Sequence, residues 1–150
     1  MLLYHGGFMS VKAPAIRTSG HYKDFGFGFY CTNLKRQAEK WAREKRRGHV
    51  VSVYEYETPV KLNVKQFPQM SDEWLDFVAA CRNGCSHDFD IVEGPMADDT
   101  IWDYVEDFLD GNISREAFWA LVKFRYPTHQ IAFCTDESLR SLQFVRGYEV

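Results

Sequence analysis

A chain of 150 residues with 45% hydrophobic and 16% aromatic side chains can build one well-packed core, so a single domain over 1–150 is expected. No apolar run reaches the length of a membrane span, and no basic segment followed by a long apolar one opens the chain. A cytoplasmic protein with no membrane partner is therefore expected, and its four irregularly spaced cysteines read as reduced thiols. The net charge of −3 conceals an asymmetry: residues 1–66 hold 12 Lys and Arg against 5 Asp and Glu, whereas residues 67–150 hold 6 against 16. Arg36, Lys40, Arg43, Lys45, Arg46 and Arg47 fall mostly on one predicted helix. They read as a solvated face balanced by the acidic half, or as a patch that meets a phosphate backbone, an acidic partner or a pyrophosphate.

The apolar run Met1–His5 predicts a first strand, and residues 7–24, with Pro14 and Gly20, a loop long enough to carry function. Phe29–Thr32 predicts a short strand. Asn33 is placed to cap a helix over 34–47 that Gly48 stops, with Ala38, Trp41 and Ala42 on its inner face. Val50–Glu57 alternates as a half-buried strand does, and Val60–Val64 reads as another. Ser71–Cys81 opens with a helix-start sequence, and Trp74, Leu75, Phe77 and Val78 form its apolar stripe. Phe89–Glu93 predicts a buried strand stopped by Gly94-Pro95. Helices follow near 99–109 and 114–124, the second capped by Ser114, with Gly111 between them. Gln130–Thr135 predicts a strand, Asp136–Leu142 a short helix and Gln143–Val150 a final strand. With no regular strand–helix alternation and no repeats, the fold class is α+β.

Asp24-Phe25-Gly26-Phe27-Gly28-Phe29-Tyr30-Cys31-Thr32 describes a backbone that turns sharply and then extends, and its glycines let another group approach the main chain. Upstream, Leu3-Tyr4-His5-Gly6 ends the first strand on a histidine. A histidine at one strand end and a tyrosine at the next, each beside glycine, place a site at the mouth of a sheet.

These segments, with Trp41-Ala42, Asp90-Ile91-Val92-Glu93-Gly94-Pro95 and His129-Gln130-Ile131, resemble the ADP-ribosyltransferase superfamily in its diphtheria-toxin and poly(ADP-ribose)-polymerase branch. Within it the chain is most similar to a family of small bacterial domains of unknown function. The resemblance spans most of the chain. It implies a split antiparallel β-sheet core with flanking helices, NAD as the substrate lying in the crease between two sheets, and no metal. His5 would hydrogen-bond ribose hydroxyls, and Gly6 would offer its backbone N–H and C=O to the nicotinamide amide, its missing Cβ permitting the approach. Tyr30 would stack on the nicotinamide ring with Trp41 as the second wall, although core packing of the helix explains Trp41 equally well.

Gln130 would take the third position, where many members of the superfamily carry glutamate. Its amide oxygen still accepts a hydrogen bond but bears no charge, which favours single transfer over chain elongation and leaves room for a protein that binds NAD without turning it over. Glu149 matches no position of the pattern. Arg17, in the long loop, is a candidate contact to the diphosphate, or simply a surface arginine. By resemblance, the activity is mono-ADP-ribosyl transfer to a protein or nucleic-acid acceptor, as in a toxin neutralised by an antitoxin partner; the alternative is a catalytically silent binding module for NAD, ADP-ribose or nucleic acid. An RNA 2′-phosphotransferase would need a convergent basic set that is not recognisable here.

Other constellations weigh less. Cys81, Cys85 and His87 lack an obvious fourth zinc ligand. Asp88, Asp90, Glu93, Asp98 and Asp99 have a Mg²⁺-binding flavour, but Gly94-Pro95 interrupts them, and a helix start accounts for Asp98 and Asp99. For a cysteine–histidine hydrolase, nothing in the sequence pairs a particular cysteine with a base.

Overall fold

The computed structural model describes residues 1–122 and 127–150 and has the expected α+β class. One sheet of three strands runs in the order β1 (Leu2–Gly7), β3 (Val50–Tyr56), β7 (Leu142–Glu149), all antiparallel. The second, of four, runs β2 (Phe29–Cys31), β6 (Gln130–Phe133), β5 (Ile91–Gly94), β4 (Val64–Gln66). Here one pairing departs from an antiparallel core: β4 and β5 are parallel, in register from Val64 with Ile91 to Gln66 with Glu93. The connection between them carries helix α2 (Asp72–Arg82), a crossover long enough to return the chain in the same direction.

Among the described residues one backbone bridge joins the sheets, where Tyr4 N–H donates to Thr32 C=O at 2.8 Å and Thr32 N–H to Tyr4 C=O at 2.9 Å. Beyond it β1 and β2 diverge, and that fork makes the crease. Leu3, Phe29, Tyr54, Tyr56, Ile131 and Phe133 pack between the sheets. Helix α1 (Lys35–Arg43) covers the outer face of the three-stranded sheet through Ala38 and Ala42 against Val51 and Val53. Helices α2, α3 (Asp99–Leu109) and α4 (Arg115–Val122) cover the outer face of the other around Trp74, Leu75, Ile101 and Phe118. Among the described residues no helix is long and apolar enough to cross a membrane.

Local chemistry explains both the agreements and the differences. Ser71 caps α2 by accepting from Trp74 N–H at 3.2 Å, Asp98 caps α3 through Ile101 N–H at 2.9 Å, and Ser114 opens α4 through Ala117 N–H at 3.1 Å. The last two positions of the expected 114–124 helix lie outside the described residues. Asn33, expected as the cap of α1, does not cap it. Leu34 holds the cap position without a side-chain bond, Thr32 Oγ1 accepts from Leu34 N–H at 3.0 Å, and Asn33 N–H is drawn to His129 Nδ1 at 3.0 Å. The helix also stops at Arg43, short of the expected 47.

The strand expected over Val60–Val64 lies later, at Val64–Gln66, and Val60 is fully exposed. Asn63 sets that start: its N–H donates to Asp90 Oδ2 at 2.9 Å and its C=O accepts from Asp90 N–H at 2.8 Å. The expected short helix contracts to α5 (Asp136–Leu139), begun by a capping box on Thr135. Ser52 and Tyr54, on the other face of the expected alternation, are fully buried: Tyr54 packs between the sheets, and the long loop bonds to both. Val11 N–H donates to Ser52 Oγ at 3.0 Å, and Tyr54 Oη–H donates to Val11 C=O at 2.6 Å.

Candidate functional site

At the fork a cavity of about 400 Å³ opens, and His5, Gly6, Tyr30, Trp41 and Gln130 all line it. A second cavity of about 450 Å³ continues under the long loop, shares His5, Gly6, Lys23, Tyr30 and Lys45 with the first, and takes in Arg17. The fold thus brings five of the six candidates together and sets Arg17 in the neighbouring lobe.

His5 lies within β1, which runs on to Gly7 rather than ending on the histidine as expected; its ring stacks on Phe29, centroids 4.3 Å apart, and its Nδ1 donates to the Tyr30 carbonyl at 2.7 Å. That bond fixes the tautomer: in the neutral ring Nε2 is a bare acceptor. Burial pushes the His5 pKa down to about 4; the bond to Tyr30 opposes this, and the nearby Lys23 and Lys45 add to it. The imidazole is therefore neutral at physiological pH and accepts rather than donates at Nε2.

Gly6 carries a correction. A Cβ at this position would lie 2.8 Å from both Ala42 N and Trp41 Cβ and closer still to Ala38 O, so its absence serves the approach of α1 to the sheet, not room for a ligand. The Gly6 backbone nevertheless faces the crease. Tyr4 turns its N–H and C=O toward β2, and the two-residue repeat of a strand turns those of Gly6 the same way, where β2 has peeled off.

The Gly26–Gly28 turn delivers Tyr30. Gly26 has φ +83, left-handed backbone that glycine adopts freely, and a Cβ on Gly28 would meet Phe133 O at 2.9 Å. The Tyr30 hydroxyl donates to Gly26 C=O at 2.6 Å and accepts from Phe25 N–H at 3.1 Å, which locks the ring plane. Burial raises the phenol pKa well above its ordinary value, so the hydroxyl stays protonated. Lys23 Nζ stands 5.0 Å from the Tyr30 ring centroid, so this aromatic face already holds a cation. Burial and Lys45 lower the Lys23 pKa. Trp41 is half-buried on α1 and joins none of the three apolar clusters, which makes it a wall of the cavity rather than part of the core.

Asp24 was in the quoted motif yet not singled out as a site residue, and the structure makes it central. It is 4% exposed, and its carboxylate accepts from Arg82 Nε at 2.8 Å, from Arg82 Nη2, from Ala97 N–H at 2.8 Å and from Gln130 Nε2 at 2.9 Å. Arg82 in turn lies over the Trp102 ring at 3.3 Å. Lys23, Asp24 and Arg82 are cavity residues that sequence reasoning missed, and Lys45, expected in the basic patch, lines the cavity as well. Nothing local marks Asp24 or Arg82, because the carboxylate is buried by donors from distant segments.

Two residues of the other constellations, His87 and Asp90, are held in structural hydrogen bonds. Cys81, Cys85 and His87 border a different cavity, but His87 Nε2 donates to Phe25 C=O at 2.8 Å and Nδ1 accepts from Phe89 N–H at 3.1 Å, leaving no lone pair for zinc. Asp90 spends one oxygen on Asn63 N–H and the other on Thr135 Oγ1 at 2.8 Å. Among the described residues no group of three or more His, Cys, Asp and Glu is placed to hold a metal, and all four cysteines are free thiols.

Fold and site together define an α+β protein whose two sheets part around a histidine–tyrosine crease. Over residues 1–144 the chain matches the family described as protein of unknown function (DUF3990), and it belongs to that family. No curated protein and no solved structure matches it.

Proposed function

We propose that this protein is an NAD-dependent mono-ADP-ribosyltransferase. The observation that carries the reading is the convergence of neutral His5, the outward-facing Gly6 backbone, the locked Tyr30 ring, Trp41 and Gln130 on one cavity where the sheets part. NAD supplies the chemistry: its bond from ribose C1′ to nicotinamide breaks, the electron pair leaves on nicotinamide, and an acceptor's nucleophile takes C1′ and loses its proton.

Each residue has a task in that reaction. Gly6 N–H and C=O match the donor and acceptor of a carboxamide, and Tyr30 and Trp41 present aromatic faces to a planar ring. His5 Nε2 accepts from a ribose hydroxyl, as does Gln130 Oε1. Lys23, Lys45 and, in the adjoining lobe, Arg17 supply positive charge for a diphosphate. Lys23 must then give up the Tyr30 face to the cationic ring. The basic residues of α1 and its trailing segment, beside Lys45, favour an acceptor that is a nucleic acid or an acidic protein surface. If the setting is that of a toxin restrained by an antitoxin protein, unrestrained expression slows growth and His5→Ala relieves it; equal growth of both strains removes the toxin reading.

A binding module without turnover is the second reading, and two observations favour it: Gln130 brings no charge to the crease, and Lys23 covers the Tyr30 face. Nicotinamide release from NAD separates the two. The transferase reading expects release by the wild type, cut about 100-fold or more in Tyr30→Ala and His5→Ala, because both ring clamp and ribose contact are lost. ADP-ribose binding without any release would leave the silent module.

A further inference from the structure

The Gln130 amide can point only one way. Its Nε2 donates to Asp24 Oδ2 at 2.9 Å and to the Pro95 carbonyl at 3.3 Å, both pure acceptors. A flipped amide would press Oε1 against two oxygens and strand both N–H groups. Gln130 is 5% exposed and lines the cavity, and its Oε1 takes no hydrogen bond among the described residues. Behind the amide stands a carboxylate with four donors on its two oxygens. Hydrogen bonding of an amide N–H to an anion draws electron density toward its oxygen, a cooperative effect that low local dielectric strengthens.

We propose that Asp24 is a positioning residue that locks and polarises the Gln130 amide, presenting Oε1 to the crease as a dedicated acceptor for a ligand hydroxyl and reserving this spot for a single negative charge. The functional half of this assignment rests on the nucleotide reading of the crease; the pairing itself does not. Two consequences follow from the geometry. Asp24→Asn puts an amide where the carboxylate was, lets Gln130 turn over and shows the crease a donor. Gln130→Glu sets a second carboxylate against Asp24 Oδ2, so that one of the two must hold a proton.

Four proteins test this: wild type, Asp24→Asn, Gln130→Glu and Asp24→Asn/Gln130→Glu. Other titratable or charged groups around the pair are Arg82 and Cys81 of α2, Tyr30 of β2, His21, Tyr22 and Lys23 of the long loop, and Lys45 and His5 across the cavity, identical in all four. Ligand-free melting is read first, from pH 5 to pH 8. Gln130→Glu should melt about 5 °C below wild type at pH 8, with the gap closing toward pH 5 as the extra carboxyl takes its proton. The double variant should recover most of that loss at pH 8.

Calorimetric titration with ADP-ribose is read second. Asp24→Asn should weaken binding about 10-fold, while the double variant, which again offers an acceptor, should bind within about threefold of wild type. A merely structural Asp24 would not be rescued by a change at Gln130. Equal melting of wild type and Gln130→Glu across the pH range would overturn the assignment. The expected melting pattern with no ADP-ribose binding in any of the four would uphold the pairing and sink the nucleotide reading.

Discussion

Replacing Gly6 by valine is expected to lower the melting temperature of the ligand-free protein by about 10 °C. The added Cβ meets helix backbone, Ala42 N at 2.8 Å and the Ala38 carbonyl, rather than the yielding end of a side chain. Helix α1 would have to lift off a sheet face where Ala38 and Ala42 have no exposed surface. Overpacking of this kind costs about 3 kcal/mol, and about 3 °C is lost per kcal/mol in a chain of this size. Thermal denaturation in the absence of any nucleotide checks it. An unchanged melting temperature joined to lost ADP-ribose binding would return Gly6 to the role of a ligand-approach glycine.

His5 should couple stability to acid. The folded chain holds it neutral to about pH 4, against an ordinary value of 6.5. As pH falls through 6.5 the unfolded chain takes a proton that the folded chain refuses, so this contribution is whole above pH 6.5 and is lost between 6.5 and 4. Full expression of the shift corresponds to about 3 kcal/mol, and solvent reaching the cavity reduces it to about 2. Urea denaturation at pH 7.5 and 4.5 should show wild type losing about 2 kcal/mol more than His5→Gln. On the proposed reading, in which a ribose hydroxyl bonds the neutral Nε2, ADP-ribose affinity should stay level from pH 8 to 5. A proton NMR titration of His5 with a midpoint near 6.5 would contradict both.

The sequence carried the elements whose signals are local. Ser71, Asp98 and Ser114 marked their helices because a cap is a contact over three residues. Asn33 misled for the same reason: its cap was overruled by His129, 96 positions away. The alternation over Val50–Glu57 located β3 but not its second covered face, because that face is buried by the other sheet and by a loop bonded at Val11. The parallel pairing of β4 with β5 left no trace in either strand.

At the site, the histidine before Gly6 and the tyrosine after the Gly26–Gly28 turn were legible as a pair, while the reason for Gly6 was not, since it depends on a helix that packs there. Gln130 was legible as a polar residue opening a strand. Its partner Asp24 was not, since a buried carboxylate shared by Arg82, Ala97 and Gln130 gathers its donors from three distant segments.

The most direct test of the central claim is mass spectrometry of the purified protein incubated with NAD and, in parallel, RNA, DNA and cell lysate, alongside His5→Ala and Tyr30→Ala. The account predicts a mass gain of one ADP-ribose on one component, absent with both variants, and that component names the acceptor class. No adduct, no nicotinamide release and no binding of NAD would contradict it.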